Sequence, residues 1–309
     1  MNFLKLIRFI TRGGIYKNIV DSMVNPIIKY LSQDQYTIML EKYDKKIRKW
    51  SHPQDNNTFD VSFFSDVKQR HGLLIVHGIA DKNYRNVPGI HNFDYIGVSG
   101  NQLWIDKLVS QGVDKSKIVV IGYPKLDPIF QNRNKQINNT GKINVLYAPT
   151  HNTQPDNPMS VSSYPRLVPK ILNFYSIFNM RTSTHPANET NHDITFGEEL
   201  EWADVVIADA GSTLYEAWAL NIPVVFPDWL VKDNISRNFP GSFEEKIYKE
   251  KIGYHANNIN HMEELIYQAY KNGLDDKTKE FSECILPSSI KGKSGKIIAD
   301  FLLNNIGGK

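Results

Sequence analysis

Asp209, Gly211, Ser212 and Thr213 fall in a polar turn between a short β-branched run, Val205 to Ala208, and a helical stretch ending at Leu220. Such a run fits a buried parallel strand, and Val224 to Phe226 reads as the next one. Gly211 permits a sharp turn and close approach by another group. Ser212 and Thr213 can offer hydroxyls beside the free N–H groups that open the helix. The turn is then a receptor for an anion such as a diphosphate. Glu216 lies one turn on, above Ser212 and Thr213, where it could accept hydrogen bonds from sugar or glycerol hydroxyls. The plainer reading is a capped helix, with Asp209 or Ser212 as the cap and Glu216 solvated.

Two histidines end other runs. His77 follows Gly72 to Val76 and precedes Gly78, which leaves it room to project. Imidazole accepts a proton near neutral pH and suits activation of a hydroxyl nucleophile. Asp81 or Asp94 could orient its ring. His185, before Pro186, joins Ser212 and Thr213 as a candidate stabiliser of charge on a leaving phosphate. Lys82, Lys125 and Arg181 are further candidate cations, ordinary surface charges being the alternative. His151, His192, His255 and His261 show no pairing in the sequence and read as background. No ligand spacing argues for a metal, and helix and side chains can neutralise a diphosphate without one, so no metal or cofactor is expected.

These residues need two α/β halves to position them. The chain has 309 residues, enough for two domains, with a formal charge of +3 that does not demand a nucleic-acid partner. Its single cysteine excludes an internal disulfide framework. Strands are expected at Gly72 to Val76, Tyr95 to Ser99 and Lys117 to Ile121, with a helix from Asn101 to Gln111 stopped by Gly112. A second set follows the polar stretch Asn132 to Gly141, read as the linker. It comprises a strand at Asn144 to Ala148, mostly helix from Tyr164 to Phe178, and a short acidic helix at Phe196 to Trp202. A strand at Gly253 to Ala256 and a helix from Ile259 to Asn272 come later. Asp228 to Phe243 reads as a long irregular loop. The expected division is 1–137 and 138–309, the last helix, Ser294 to Asn305, crossing back to the first domain. Polar residues at strand ends suggest two sheets facing across a cleft.

Residues 15 to 50 read as helical, including Tyr36 to Trp50. The opening Met1 to Ile10 reads as an amphipathic helix, with Phe3, Leu4, Ile7 and Ile10 opposed to Lys5, Arg8 and Arg12. It would pack on the protein's own core or lie on an anionic membrane. The expected location is cytoplasmic, or peripheral at the inner membrane face in the alternative where this helix meets lipid.

Five motifs occur in order: His77-Gly78 with Lys82, Gly122-Tyr123-Pro124 with Asp127, Leu146 to Thr150, His185-Pro186, and Asp209 to Ser212 with Glu216. Together, over roughly residues 70 to 230, they resemble the CDP-glycerol glycerophosphotransferase family, which builds teichoic-acid and related capsule polymers. The resemblance implies a GT-B fold and transfer of glycerol phosphate from CDP-glycerol to the hydroxyl of a polyol or glycan acceptor, releasing CMP. It implies that His77 is the base and that His185 serves the donor phosphates. Thr150, Asp209, Gly211, Ser212, Thr213 and Glu216 would surround the donor. Gly78, Lys82 and Lys125 would be accessory or on the acceptor side. The long N-terminal extensions of many polymerising members are missing, which implies limited transfer or a different acceptor.

Ile79-Ala80 stands where the family usually has Thr-Pro, and His151-Asn152 where it commonly has Trp-Arg. Gly211 replaces the first of its paired serines. A Gly-Ser turn with Glu216 also resembles nucleotide-sugar glycosyltransferases, where such a glutamate holds the ribose. A nucleotide-sugar donor therefore stays open, with a glycan, wall polymer or modified DNA as acceptor, as does a nucleotide-sugar epimerase. A nucleotide-binding module without turnover is a further alternative.

Overall fold

The computed structural model describes residues 5–11, 17–31, 36–42, 58–64, 72–76, 78–83, 88–100, 102–132, 141–152, 157, 159–185 and 196–306. Two compact units divide them. The first holds Met1–His77, Tyr84–Asn132 and Cys284–Lys309; the second holds Gly78–Asn83 and Arg133–Glu283. Each is built on a parallel sheet.

In the first unit the strands are β1 (Lys5–Thr11), β2 (Tyr36–Lys42), β3 (Thr58–Ser62), β4 (Gly72–Ile75), β5 (Tyr95–Val98) and β6 (Ile118–Val120), in the order β2-β1-β3-β4-β5-β6. The expected amphipathic N-terminal helix is instead β1, hydrogen-bonded to β2 on one side and β3 on the other. Ile7, Phe9 and Ile10 are fully buried, so they present no apolar face to lipid. Arg8 stands on the polar face of the expected helix. It is buried as well, and its guanidinium donates Nε to Asp60 Oδ1 (2.6 Å) and Nη2 to Oδ2 (2.9 Å), its direct register partner on β3. A charge that looks like a polar face in one dimension is neutralised across a strand pair. Tyr36 to Lys42 is likewise a strand, not helix. Within residues 15–50 the helical reading holds for α1 (Lys17–Ile28).

The helices of this unit are α1, α2 (Gln102–Ser110), α3 (Asp127–Asn132) and α11 (Ser294–Asn305). Asp127 fixes the last of these. Its carboxylate accepts from the N–H of Ser294 (3.1 Å) and Gly295 (2.6 Å), the first donors of α11, while Ser294 Oγ accepts from Tyr123 N–H (2.9 Å). The Gly122-Tyr123-Pro124 motif with Asp127 therefore has a structural duty. Asp127→Ala is expected to lower stability by about 1–2 kcal/mol, as loss of a helix cap does, with early hydrogen exchange in 294–305 as the readout.

The second unit contains β7 (Asn144–Tyr147), β8 (Asn179–Thr182), β9 (Val205–Ile207), β10 (Val224–Pro227) and β11 (Tyr254–Ala256), ordered β11-β10-β9-β7-β8. Its helices are α4 (Phe174–Ile177), α5 (Phe196–Trp202), α6 (Ser212–Ala219), α7 (Asp228–Asn238), α8 (Phe243–Glu250), α9 (Ile259–Asn272) and all but the last two residues of α10 (Asp276–Ile285). Val205, Val206 and Ile207 are fully buried, as a central parallel strand requires. Met262, Leu265, Ile266 and Ala269 make the buried stripe of α9, which packs on β10 and β11.

Two expectations fail here. Asp228 to Asn238 is a helix, because Val231 and Ile235 bury one face while Lys232, Asp233 and Ser236 leave the average composition polar. Tyr164 to Phe178 is mostly turns, with a 3-10 turn at Val168–Lys170 and the four-residue α4, because Pro165 and Pro169 remove amide donors from the start of any longer helix. The interior of the expected linker lies outside the described residues. Among the described residues no helix is long and apolar enough to cross a membrane.

Candidate functional site

The second sheet reverses its strand order at β7, which has β8 on one side and β9 on the other. Loops leaving β7 and β9 at their carboxyl ends diverge there, and open α/β sheets take ligands at such a point. The loop after β7 carries Thr150 and His151. The loop after β9 carries Asp209 and Gly211 and opens α6.

Asp209 binds the two loops together. It is fully buried, and its Oδ1 accepts from the N–H groups of Thr150 (2.8 Å) and Ala210 (2.6 Å). Its Oδ2 accepts from Ser163 N–H and Oγ, both at 2.7 Å. Burial pushes its carboxyl above the usual range, and the backbone donors oppose that shift. Both oxygens are thus engaged inside the protein rather than turned to a ligand. Tyr147 is also fully buried, with its hydroxyl 3.0 Å from Ser163 Oγ.

A short segment, Gly78–Asn83, belongs to this second unit. Glu244, buried in the first turn of α8, accepts from the N–H of Asp81 (3.0 Å) and Lys82 (2.7 Å) and from Tyr215 Oη (2.7 Å). Asp81 returns the contact, its Oδ2 accepting from Phe243 N–H at 2.8 Å. These bonds hold Lys82 and Asn83 at φ 38° and 56°, a left-handed turn. Neither carboxylate expected to orient His77 is idle, since Asp94 accepts from Gly72 N–H (3.2 Å).

The turn aims Lys82 at the loop junction. Its ammonium, on a side chain from a residue 7% exposed, donates to Thr150 Oγ1 at 2.7 Å and lies 5.9 Å from the Phe239 ring centroid. Burial lowers its pKa, against the raising effect of Glu244 and Asp209. It makes no ion pair within 4.0 Å among the described residues. Gly211 precedes α6 at φ 133°; a Cβ there would stand 3.1 Å from Thr150 Oγ1 and 3.5 Å from Lys82 Nζ. Among the described residues no side chain caps α6, and its first N–H groups lie beside this cation. Ser212 Oγ accepts weakly from Ala80 N–H (3.5 Å), and a Cβ on Gly78 would come within 2.7 Å of it.

Thr150, Asp209, Gly211, Ser212, Gly78 and Lys82 therefore converge. Thr213 is half-buried in the first turn of α6. Glu216 is 1% exposed, so the solvated alternative is corrected. Lys125 lies in the first unit, in a 3-10 turn at Pro124–Leu126. Arg181 is stacked on Trp202 at 4.0 Å. His77 lies outside the described residues.

His185 is half-buried just past β8, and its ring centroid is 5.4 Å from that of His151. His151 had no visible partner in the sequence, because β7 and β8 become neighbours only in the sheet. The same is true of His255, whose Nδ1 lies 2.7 Å from Asp228 Oδ1 and Nε2 3.0 Å from Ile252 O; it is a core residue stacked on Phe226. Nothing local in the sequence marks Glu244, an ordinary helix glutamate until the 78–83 segment is folded against it.

No family model and no curated protein sequence matches the chain. Solved structures do. The wall teichoic acid polymerase TagF aligns over 98% of this chain and 89% of its own, at TM-score 0.61 and 16% identity. The UDP-GlcNAc 2-epimerase of Methanocaldococcus jannaschii, in complex with UDP-GlcNAc and UDP, aligns over 97% and 99%, at TM-score 0.59 and 14% identity. The Neisseria meningitidis UDP-GlcNAc 2-epimerase bound to UDP-GlcNAc aligns over 97% and 99%, at TM-score 0.55 and 14% identity. With two parallel, helix-flanked sheets, the chain has the GT-B fold of these enzymes.

Proposed function

We propose that the protein is a GT-B transferase that moves glycerol phosphate from CDP-glycerol to an acceptor hydroxyl and releases CMP. The observation that carries this reading is Lys82. A buried ammonium with no carboxylate within ion-pair distance among the described residues stands beside Thr150 and the positive end of α6. Cation and helix end repel each other until an anion joins them, so the arrangement favours a phosphate or diphosphate. A TagF variant was solved after soaking with CDPG, and the ordered motifs that resemble glycerophosphotransferases support that donor here.

In this reading His77 takes the proton of the acceptor hydroxyl as its oxygen attacks the phosphorus of the glycerol phosphate group. The bond from that phosphorus to the bridging oxygen breaks, and the electron pair leaves with CMP. Lys82, Thr150, Ser212, Thr213 and His185 hold the departing charge, and Glu216 serves donor hydroxyls. The acceptor is a polyol or glycan, and no cofactor is needed.

The test is turnover. Purified protein with CDP-glycerol and a glycerol-phosphate-primed acceptor should release CMP. His77→Ala should slow that release by about 10²-fold, the lower end for loss of a general base, while donor binding persists. Because the site reads a diphosphate and not the group it carries, a nucleotide-sugar donor is the second reading, which the epimerase complexes with UDP-GlcNAc favour. UDP release from a UDP-sugar, with no CMP from CDP-glycerol, would establish the second and reject the first. Thermal-shift ranking of CDP, UDP, GDP and ADP gives an independent measure of the base.

A further inference from the structure

We propose that His151 pairs with His185 in a two-imidazole site that takes up a proton when the donor diphosphate binds. This deepens the donor reading and rests on it.

The pair is built by the sheet. Tyr147 on β7 is the register partner of Thr182 on β8, so the residues just beyond them, His151 and His185, leave the same edge side by side. Their ring centroids are 5.4 Å apart and their planes inclined by 50°. The loop carrying His151 is pinned on both sides of it. Thr150 N–H donates to Asp209, Thr150 O accepts from Ser162 Oγ (2.7 Å), and Asn152 Nδ2 donates to Tyr164 O (2.7 Å). Thr150, the residue before His151, also receives the Lys82 ammonium. A half-buried ring so held is part of the anion site, not a free surface side chain.

The charged and titratable groups around it decide the direction of proton flow. Lys82 faces it from the 78–83 turn, His185 from the end of β8, and Asp209 from the β9 loop through Thr150. Glu244, from α8, holds the Lys82 backbone. Burial and the Lys82 charge keep the His151 pKa below the ordinary imidazole range, so His151 is neutral at pH 7.5 while the site is empty. A bound diphosphate offsets Lys82 and adds negative charge beside both rings. That raises their proton affinity, so binding and proton uptake favour each other. Donor affinity therefore falls as pH rises through the window between the empty and occupied pKa values.

Calorimetric titration at pH 7.5 in buffers of different ionisation enthalpy counts the protons. CDP-glycerol and UDP-N-acetylglucosamine are the probes, because their diphosphates have no group titrating near that pH. Uptake of roughly half to one proton is expected for the ligand that binds. His151→Gln should remove most of the uptake and flatten the pH profile of affinity between pH 6 and 8. Ser212→Ala should weaken binding but keep the uptake. Histidine C–H resonances of the unaltered protein, followed through a pH titration with and without ligand, report the same shift without any substitution. Binding without proton uptake, or unchanged uptake in His151→Gln, overturns the pair while leaving the donor site standing. Failure of both probes to bind overturns the inference and the donor reading together.

Discussion

Lys82→Met is expected to weaken donor binding by about 10²–10³-fold, the usual consequence of removing one partner of a buried charge-assisted contact. The same change should leave the empty protein as stable as before, or more so. Methionine keeps much of the aliphatic volume, and the desolvated ammonium that it removes has no carboxylate within ion-pair distance among the described residues. Opposite signs in one variant separate this role from a structural one. The pH dependence gives a second signature. The Lys82 pKa is lower in the folded than in the unfolded chain, so the unfolded state binds more protons between the two values. Stability of the unaltered protein therefore rises with pH as it passes from the lowered pKa toward 10.5. Lys82→Met should lose that rise. Urea unfolding at pH 7 and pH 10, together with calorimetric titration of CDP-glycerol, measures both effects. A variant that is strongly destabilised yet binds the donor normally would contradict the assignment.

Asp209→Ala should cost about 3–5 kcal/mol. The substitution leaves the N–H groups of Thr150, Ala210 and Ser163 and the Ser163 hydroxyl without their acceptor. Each buried donor so stranded costs roughly 1–3 kcal/mol, and partial relaxation of the loops keeps the sum below the upper limit. Asp209→Asn should be only partly milder, because its amide would turn a donor toward groups that are themselves donors. Donor binding should fall in parallel, since Thr150 positions both Lys82 and His151. Tryptophan fluorescence on urea unfolding reads the stability, and thermal shift with CDP-glycerol reads the binding. If Asp209→Ala folds with unchanged stability, the carboxylate is not the tie between the β7 and β9 loops.

The Asp209 turn shows how far local pattern reaches. Val205 to Ile207, the glycine at 211 and the helix from Ser212 were legible because strand period, turn residue and helix start are all properties of neighbours in the chain. The strands β4 to β7 and the helices α2, α9 and α11 were legible for the same reason. β1 was not. Its register partner for Arg8 lies 52 residues away at Asp60, and no local window contains both. α7 was hidden because only two of its buried positions, Val231 and Ile235, are strongly apolar.

The sequence by itself determined two parallel α/β halves, the polar residues at the ends of their strands and the Gly-Ser turn before α6. Those features follow from residue type and short spacing. The tertiary structure alone decided which of those residues meet. It turned Asp209 inward, buried Glu216, enlisted Glu244 to aim Lys82 at Thr150, and set His151 against His185. Hydrogen bonds and charges act over a few ångströms of space, and neighbours in a parallel sheet are separated by whole helices in the chain. The local pattern could supply the groups of an anion site, but not the pairings that set their charge.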